Sequence, residues 1–120
     1  SRKILDLPNL RVTATTVRVP VFHGHSESIN VELEKPFEVA DIRALWEGTE
    51  GLIVQDDPAK GLYPMPIYAA DTDPVYVGRL RRDYSVENGI NFWCVADNIR
   101  KGAATNAVQI AQELIRQWEA

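Results

Sequence analysis

Residues 74–97 have the sequence PVYVGRLRRDYSVENGINFWCVAD, and this stretch decides the fold. Its first part, residues 74–82, alternates apolar and polar side chains as a half-buried strand does. Asn88-Gly89 follows, a dipeptide that favours a hairpin turn when strands flank it. Residues 90–97 are rich in aromatic and β-branched side chains and predict the second strand. The stretch therefore predicts an antiparallel hairpin.

Five further segments surround the hairpin. The β-rich residues 10–19 and the alternating residues 28–35 each predict a strand closed by a proline. Residues 37–48 carry apolar side chains at helical spacing and end at a glycine, which predicts a helix. Residues 52–55 predict a short strand, and residues 98–118 predict a long amphipathic helix.

The order of these elements predicts the α+β class: a mixed, largely antiparallel sheet with helices packed on one face. The connection at residues 56–74 is rich in proline, and its segment MPIYAA is a candidate for one more short strand. Asp97 is placed to cap the last helix. The length of 120 residues predicts a single domain, 1–120. The uncovered sheet face and the apolar stripe ending at Trp118 predict contact with a partner.

Composition excludes several classes of protein. The net charge of −4 argues against a nucleic-acid-binding protein, which usually carries a basic patch. No apolar run approaches ~20 residues, so no membrane span is predicted. The single cysteine, Cys94, rules out an internal disulfide and suits a reducing compartment such as the cytoplasm. Because the chain opens with SRKIL and no initiating Met, we expect a piece of a longer protein; a complete protein cleaved from a tag is the alternative.

The strongest candidate site is VRVPVFHGHSE, residues 17–27. Arg18 offers a planar guanidinium that binds carboxylates through two hydrogen bonds, and His25 can act as a general base near neutral pH. Pro20 and Gly24 would sharpen the turn between them, so that both side chains could meet one small anionic ligand. On spacing alone, a surface arginine and two loop histidines are the simpler interpretation.

Other candidates are weaker. The His23-Gly-His25 spacing suggests a metal, but zinc needs three or four ligands, so no metal site is predicted. Cys94 lies within a predicted strand and is interpreted as an apolar filler rather than a nucleophile. The helix that opens at Asn98 could attract an anion at its N-terminus, although Gly102 in its first turn fits a frayed start equally well.

Three stretches resemble one family: TATTVRVPVFHGHSE (13–27), DYSVENGINFW (83–93) and VADNIRKGAATNAVQIAQELI (95–115). They are similar to the C-terminal part of bacterial aspartate-semialdehyde dehydrogenase. The resemblance implies an enzyme that reduces aspartyl phosphate with NADPH on the route to lysine, threonine and methionine. It also implies an absent N-terminal Rossmann domain that binds NADP, an upstream nucleophilic cysteine and a homodimer formed through the sheet. The last helix is expected to pack on the nucleotide-binding domain.

By the same resemblance, Arg18 matches the arginine that binds the substrate carboxylate and His25 matches the acid/base. Asn98 matches the residue that contacts the nicotinamide carboxamide, whereas His23 is expected to be structural. The glycine-rich nucleotide loop and the segment with the catalytic cysteine are absent from this sequence. The chain alone is therefore expected to have no dehydrogenase turnover and not to bind NADP tightly. A non-catalytic paralogue or binding module with the same fold is the alternative.

Overall fold

A computed structural model describes residues 1–119 and shows four strands and three α-helices in that part of the chain. The strands are β1 (His25–Glu32), β2 (Leu52–Val54), β3 (Val75–Asp83) and β4 (Gly89–Ala96). The helices are α1 (Val39–Glu47), α2 (Pro66–Ala69) and α3 (Thr105–Trp118). A 3₁₀ turn occupies Pro58–Lys60, and a π-helical turn at Arg100–Ala104 leads directly into α3.

The sheet has the strand order β1-β4-β3-β2. The pairs β1–β4 and β3–β4 are antiparallel, and β2 runs parallel to β3. Strand β4 is therefore a central strand, with most of its length paired on both sides. The predicted α+β class with a mixed, largely antiparallel sheet is confirmed, and so are the strands predicted near residues 28–35, 52–55, 74–82 and 90–97.

The hairpin forms, but its turn is not at Asn88-Gly89. Gly89 is already the first residue of β4 and pairs with Asp83. The connection begins earlier because the Asp83 carboxylate accepts hydrogen bonds from the amide of Ser85 at 2.8 Å and from its hydroxyl at 2.7 Å. This local bonding bends the chain directly after β3 and replaces the two-residue turn that the dipeptide favours.

The two faces of the sheet are covered by different helices. Trp46 of α1 contacts Phe92 edge-on, with 5.1 Å between ring centroids. Neighbouring residues of a strand point to opposite faces, so Trp93 lies on the other side. There its indole N–H donates to the carbonyl of Pro64 at 3.1 Å, and it packs against the core cluster that includes Ala69 of α2. The expectation that the helices lie on one face therefore holds for α1 and fails for α2.

Two predicted strands are wrong. Residues 10–19 form no strand, although their composition favours one. A strand needs a neighbour to pair its N–H and C=O groups, and no segment within residues 1–119 pairs with this one. The segment MPIYAA forms α2 instead, because a proline at the start of a helix has no N–H to lose and its φ is already helical.

The last helix begins later than predicted from Asn98. The chain first makes a wide turn in which the amide of Ala104 donates to the carbonyl of Ile99 at 3.3 Å. Asp73 holds this region, since its Oδ1 accepts from Arg100 Nε at 2.7 Å and from the Thr105 hydroxyl at 3.1 Å. Polar contacts to Asp73 therefore link this turn and the start of α3 to the loop before β3.

Helix α3 keeps its apolar stripe exposed within the described part of the chain. Ile110, Leu114 and Trp118 are all exposed, Trp118 to 77%. The Cα radius of gyration is 15.9 Å, whereas a compact domain of this length has about 14 Å. The fold is thus a small core around β3 and β4 with elements that extend away from it. No helix in residues 1–119 is long and apolar enough to cross a membrane.

A bulge in β3 is held by a buried carboxylate. The register of the β3–β4 pair shifts between Gly78 and Arg81, and Arg79 adopts a φ of 55°, which is unusual for a residue with a side chain. Asp56, only 3% exposed at its side chain, accepts from the amides of Arg79 at 2.9 Å and Leu80 at 3.2 Å. Arg43 of α1 pairs with the same carboxylate, so the bulge is tied to the helix.

The replacement Gly78→Ala should unfold or strongly destabilise the domain. A Cβ at this position would lie 2.1 Å from the carbonyl oxygen of Gln55 and 2.7 Å from Cδ of Pro64, so the backbone would have to move. We expect a loss of at least ~3 kcal/mol in the free energy of unfolding, measured by urea denaturation. In the control Gly102→Ala, the nearest atom is 3.8 Å away, and stability should be unchanged or slightly higher. Equal stability of the two variants would contradict this packing.

Candidate functional site

His25 lies at the end of the sheet where β1 begins and β4 ends. It pairs with Ala96, the last residue of β4. Its side chain is 67% exposed, and its Nε2 lies 3.2 Å from Oε1 of Glu27, which is 51% exposed. The two residues are separated by one position on a strand, so their side chains share a face. Glu27 is not among the site residues predicted from the sequence, although its position two residues after His25 on a strand indicates that the two side chains share a face.

The turn before His25 requires glycine. Gly24 has a φ of +91°, and a Cβ there would lie 3.2 Å from Cβ of Pro66. Around Pro20, the amide of Val21 donates to the carbonyl of Val19 at 3.0 Å, which closes a tight turn. The prediction that Pro20 and Gly24 sharpen this segment is confirmed.

Asn98 follows a buried anchor, Asp97, whose residue is 2% exposed. Oδ1 of Asp97 accepts from the amides of Ile99 at 2.9 Å and Arg100 at 3.1 Å and so holds the turn that precedes α3. The prediction that Asp97 caps the last helix itself is wrong, because α3 begins at Thr105 with Ala104 as its N-cap. Oδ2 accepts from the amide of Asp71 at 2.9 Å, in the loop before β3. One carboxylate therefore fixes the backbone on both sides of Asn98, whose own side chain is exposed.

The hydrogen bonds around Asp97 also set its charge state. The bond from the amide of Asp71 is the largest cause that holds the pKa of Asp97 below its ordinary value of 3.8. The amides of Arg100 and Ile99 lower the pKa further, while burial opposes them. A smaller electrostatic contribution from His23 acts in the same direction as the amides. Asp97 is thus ionised at neutral pH.

The register of β1 and β4 brings His25 and Asn98 to the same end of the sheet, since His25 pairs with a residue only two positions before Asn98. Arg18 is exposed and lies on the segment without regular secondary structure that precedes β1. Its predicted convergence with His25 stays a prediction. The structure has a cavity of about 460 Å³, but Arg18, His25 and Asn98 are not among its lining residues.

Cys94 is not poised as a nucleophile. It pairs with Glu27 across the sheet and is partly buried. Burial, with a further contribution from the charge of Glu27, raises the pKa of its thiol to about 11. The thiol is therefore protonated at neutral pH, whereas reactive cysteines have a lowered pKa. Within residues 1–119, no group of three or more His, Cys, Asp or Glu side chains is arranged to hold a metal ion.

Comparison with known proteins identifies the family. A family model described as the semialdehyde dehydrogenase dimerisation domain matches residues 1–101. The chain belongs to this family. The matched range contains Arg18, His25 and Asn98, whereas the whole of α3 lies beyond it.

Relatives of this dimerisation domain are enzymes about three times as long as the chain. The aspartate-semialdehyde dehydrogenase of Aquifex aeolicus is 52% identical over 117 residues, which cover 98% of this chain and 34% of that protein. That of Bacillus subtilis is 46% identical over 115 residues. A crystal structure of aspartate semialdehyde dehydrogenase II from Vibrio cholerae complexed with ASA matches 96% of this chain and 34% of its own, with a TM-score of 0.85 and 45% identity. The chain thus spans about a third of these relatives.

The replacement Asp97→Asn should destabilise the domain in a pH-dependent way. An amide cannot accept all three backbone hydrogen bonds, so we expect a loss of about 2 kcal/mol at pH 7. Because the pKa of Asp97 is lowered in the folded state, its stabilisation is fully present above pH 3.8 and is lost as the pH falls through the folded-state pKa. Urea denaturation from pH 7 to pH 3 measures this difference.

The matched control is Asp41→Asn, since Asp41 is exposed in the first turn of α1. It should change the free energy of unfolding by less than ~0.5 kcal/mol. If the two variants were equally stable, or if the cost of Asp97→Asn were the same at pH 3 and pH 7, the anchoring role of the Asp97 charge would be wrong.

Proposed function

We propose that this domain is the substrate-binding and dimerisation part of a cytoplasmic, NADP-dependent aspartate-semialdehyde dehydrogenase. Such an enzyme converts aspartyl phosphate and NADPH to aspartate semialdehyde, phosphate and NADP. The observation that carries the proposal is the match of 98% of this chain, at 52% identity, to a dehydrogenase of that name. The alternatives are a different acyl-phosphate or aldehyde dehydrogenase and a non-catalytic binding module with the same fold.

In this proposal Arg18 binds the carboxylate of the substrate. Its guanidinium is exposed, always charged and able to donate two parallel hydrogen bonds. His25, exposed at the end of the sheet, accepts the proton of the nucleophilic thiol and returns a proton later in the cycle. The thiol belongs to the rest of the enzyme, because Cys94 is partly buried and protonated.

In this proposal Asn98 contacts the nicotinamide end of the cofactor. When bound, NADPH supplies the hydride that reduces the acyl group. The exposed amide of Asn98 fits the carboxamide of a nicotinamide ring, since it can donate and accept hydrogen bonds at once. Asp97 holds the backbone on both sides of it. The chain has no glycine-rich phosphate loop, so its residues suit one end of the cofactor only.

The proposal includes a homodimer and contact with an N-terminal nucleotide-binding domain. The support comes from apolar side chains that are exposed in residues 1–119. One set lies on the segment before β1 and includes Val17 and Phe22; another lies on α3 and includes Ile110 and Trp118. Exposed apolar area of this extent is typical of surfaces that contact other domains or subunits.

The test uses the full-length protein that contains this domain. His25→Ala should lower kcat by about 10²- to 10⁴-fold, because the proton acceptor is lost. Arg18→Ala should mainly raise KM for the carboxylate-bearing substrate. Turnover is followed as phosphate-dependent NADPH formation from aspartate semialdehyde.

The matched controls are His23→Ala and Arg11→Ala, which remove the same side-chain types from the same exposed segment. Both should retain near-normal rates. Full activity of His25→Ala, or turnover by residues 1–120 alone, would contradict the assignment. An inactive full-length protein would favour the non-catalytic paralogue.

A further inference from the structure

The imidazole of His25 has a hydrogen-bond partner on its own strand, the carboxylate of Glu27. Nε2 of His25 and Oε1 of Glu27 are 3.2 Å apart. An ionised carboxylate can only accept hydrogen bonds, so the ring nitrogen that faces it must be the one that carries a proton. The geometry therefore selects a tautomer: in neutral His25 the hydrogen is on Nε2, and Nδ1 holds the free lone pair.

Within residues 1–119, the salt bridge that Glu27 forms is the one with His25. Across the sheet Glu27 pairs with Cys94, and His25 pairs with Ala96. The Cys94 thiol is neutral, since burial and the charge of Glu27 itself raise its pKa to about 11. The carboxylate is thus available to hold the ring.

We propose that Glu27 is a positioning residue that fixes the ring of His25 through Nε2 and leaves Nδ1 as the basic nitrogen. The proton-transfer step follows from this. The S–H bond of the thiol breaks, its electron pair stays on sulfur, and the proton forms a new bond with Nδ1. Glu27 then faces the positive imidazolium that results and stabilises it. The catalytic consequence rests on the proposed function, whereas the tautomer does not.

The tautomer is measured on the 120-residue chain itself by long-range ¹H–¹⁵N NMR of the two histidine rings, at a pH where both rings are neutral. His23 serves as the internal reference, because it lies two residues away in the loop before β1. In the unchanged protein, we expect the Nε2-protonated form of His25 to predominate, with a small Nδ1-protonated fraction. In Glu27→Ala, the Nδ1-protonated fraction of His25 should rise by about fivefold, the factor expected when one exposed charged hydrogen bond is removed.

Two further variants make the result specific. Glu27→Gln keeps an acceptor oxygen and should retain most of the Nε2 preference. Glu32→Ala removes an exposed glutamate from the same strand but from its opposite face, so it should leave the His25 ring unchanged. Glu27 is exposed, so its replacement is not expected to unfold the domain. If the His25 tautomers were unaffected by Glu27→Ala, or changed equally in Glu32→Ala, the inference would be overturned.

The catalytic consequence is measured separately on the full-length protein. Glu27→Ala should lower kcat by about tenfold with little change in KM, and Glu27→Gln should recover part of the loss. A fixed tautomer in a protein without dehydrogenase turnover would defeat the proposed function and leave the positioning of the ring intact. An active enzyme whose His25 ring is unaffected by Glu27→Ala would support the proposed function and overturn the positioning role of Glu27.

Discussion

The buried carboxylate of Asp97 is the interaction on which the arrangement of the site depends. It receives the amides of Ile99 and Arg100 from the helical turn and the amide of Asp71 from the loop before β3. Three backbone amides from two segments therefore meet at one charge, at the end of β4, one of the two internal strands of the sheet. These hydrogen bonds tie the end of β4 to the turn that precedes α3 and to the loop before β3.

This constraint also explains why the site residues lie where they do. Strand β4 ends at Ala96, directly before Asp97. His25, the first residue of β1, pairs with Ala96 and therefore lies at the same end of the sheet as Asn98. Gly24 makes the turn that brings the chain into β1. His25 and Asn98, two of the proposed site residues, thus lie at the same end of the sheet.

The sequence was informative where a pattern is local. The alternation in residues 74–82 and the helical spacing in α1 each depend on neighbours within one element, and both were predicted correctly. It failed where contacts with other residues decide the structure. Residues 10–19 have strand composition, but no strand within residues 1–119 pairs with them. At Asn88-Gly89, the Asp83–Ser85 hydrogen bonds replace the expected turn. For the site, Arg18, His25 and Asn98 came from a resemblance, whereas the Glu27 contact needed coordinates.

The central claim is that Arg18 and His25 of this domain face one ligand in a dimeric dehydrogenase. A crystal structure of the full-length protein with NADP and the substrate semialdehyde tests it most directly. The account predicts two copies in contact through residues 1–120, with the Arg18 guanidinium on the substrate carboxylate, the His25 ring beside the reacting carbon and Asn98 at the nicotinamide. Arg18 and His25 on separate ligands or separate surfaces, or a monomer with no contact through this domain, would contradict it.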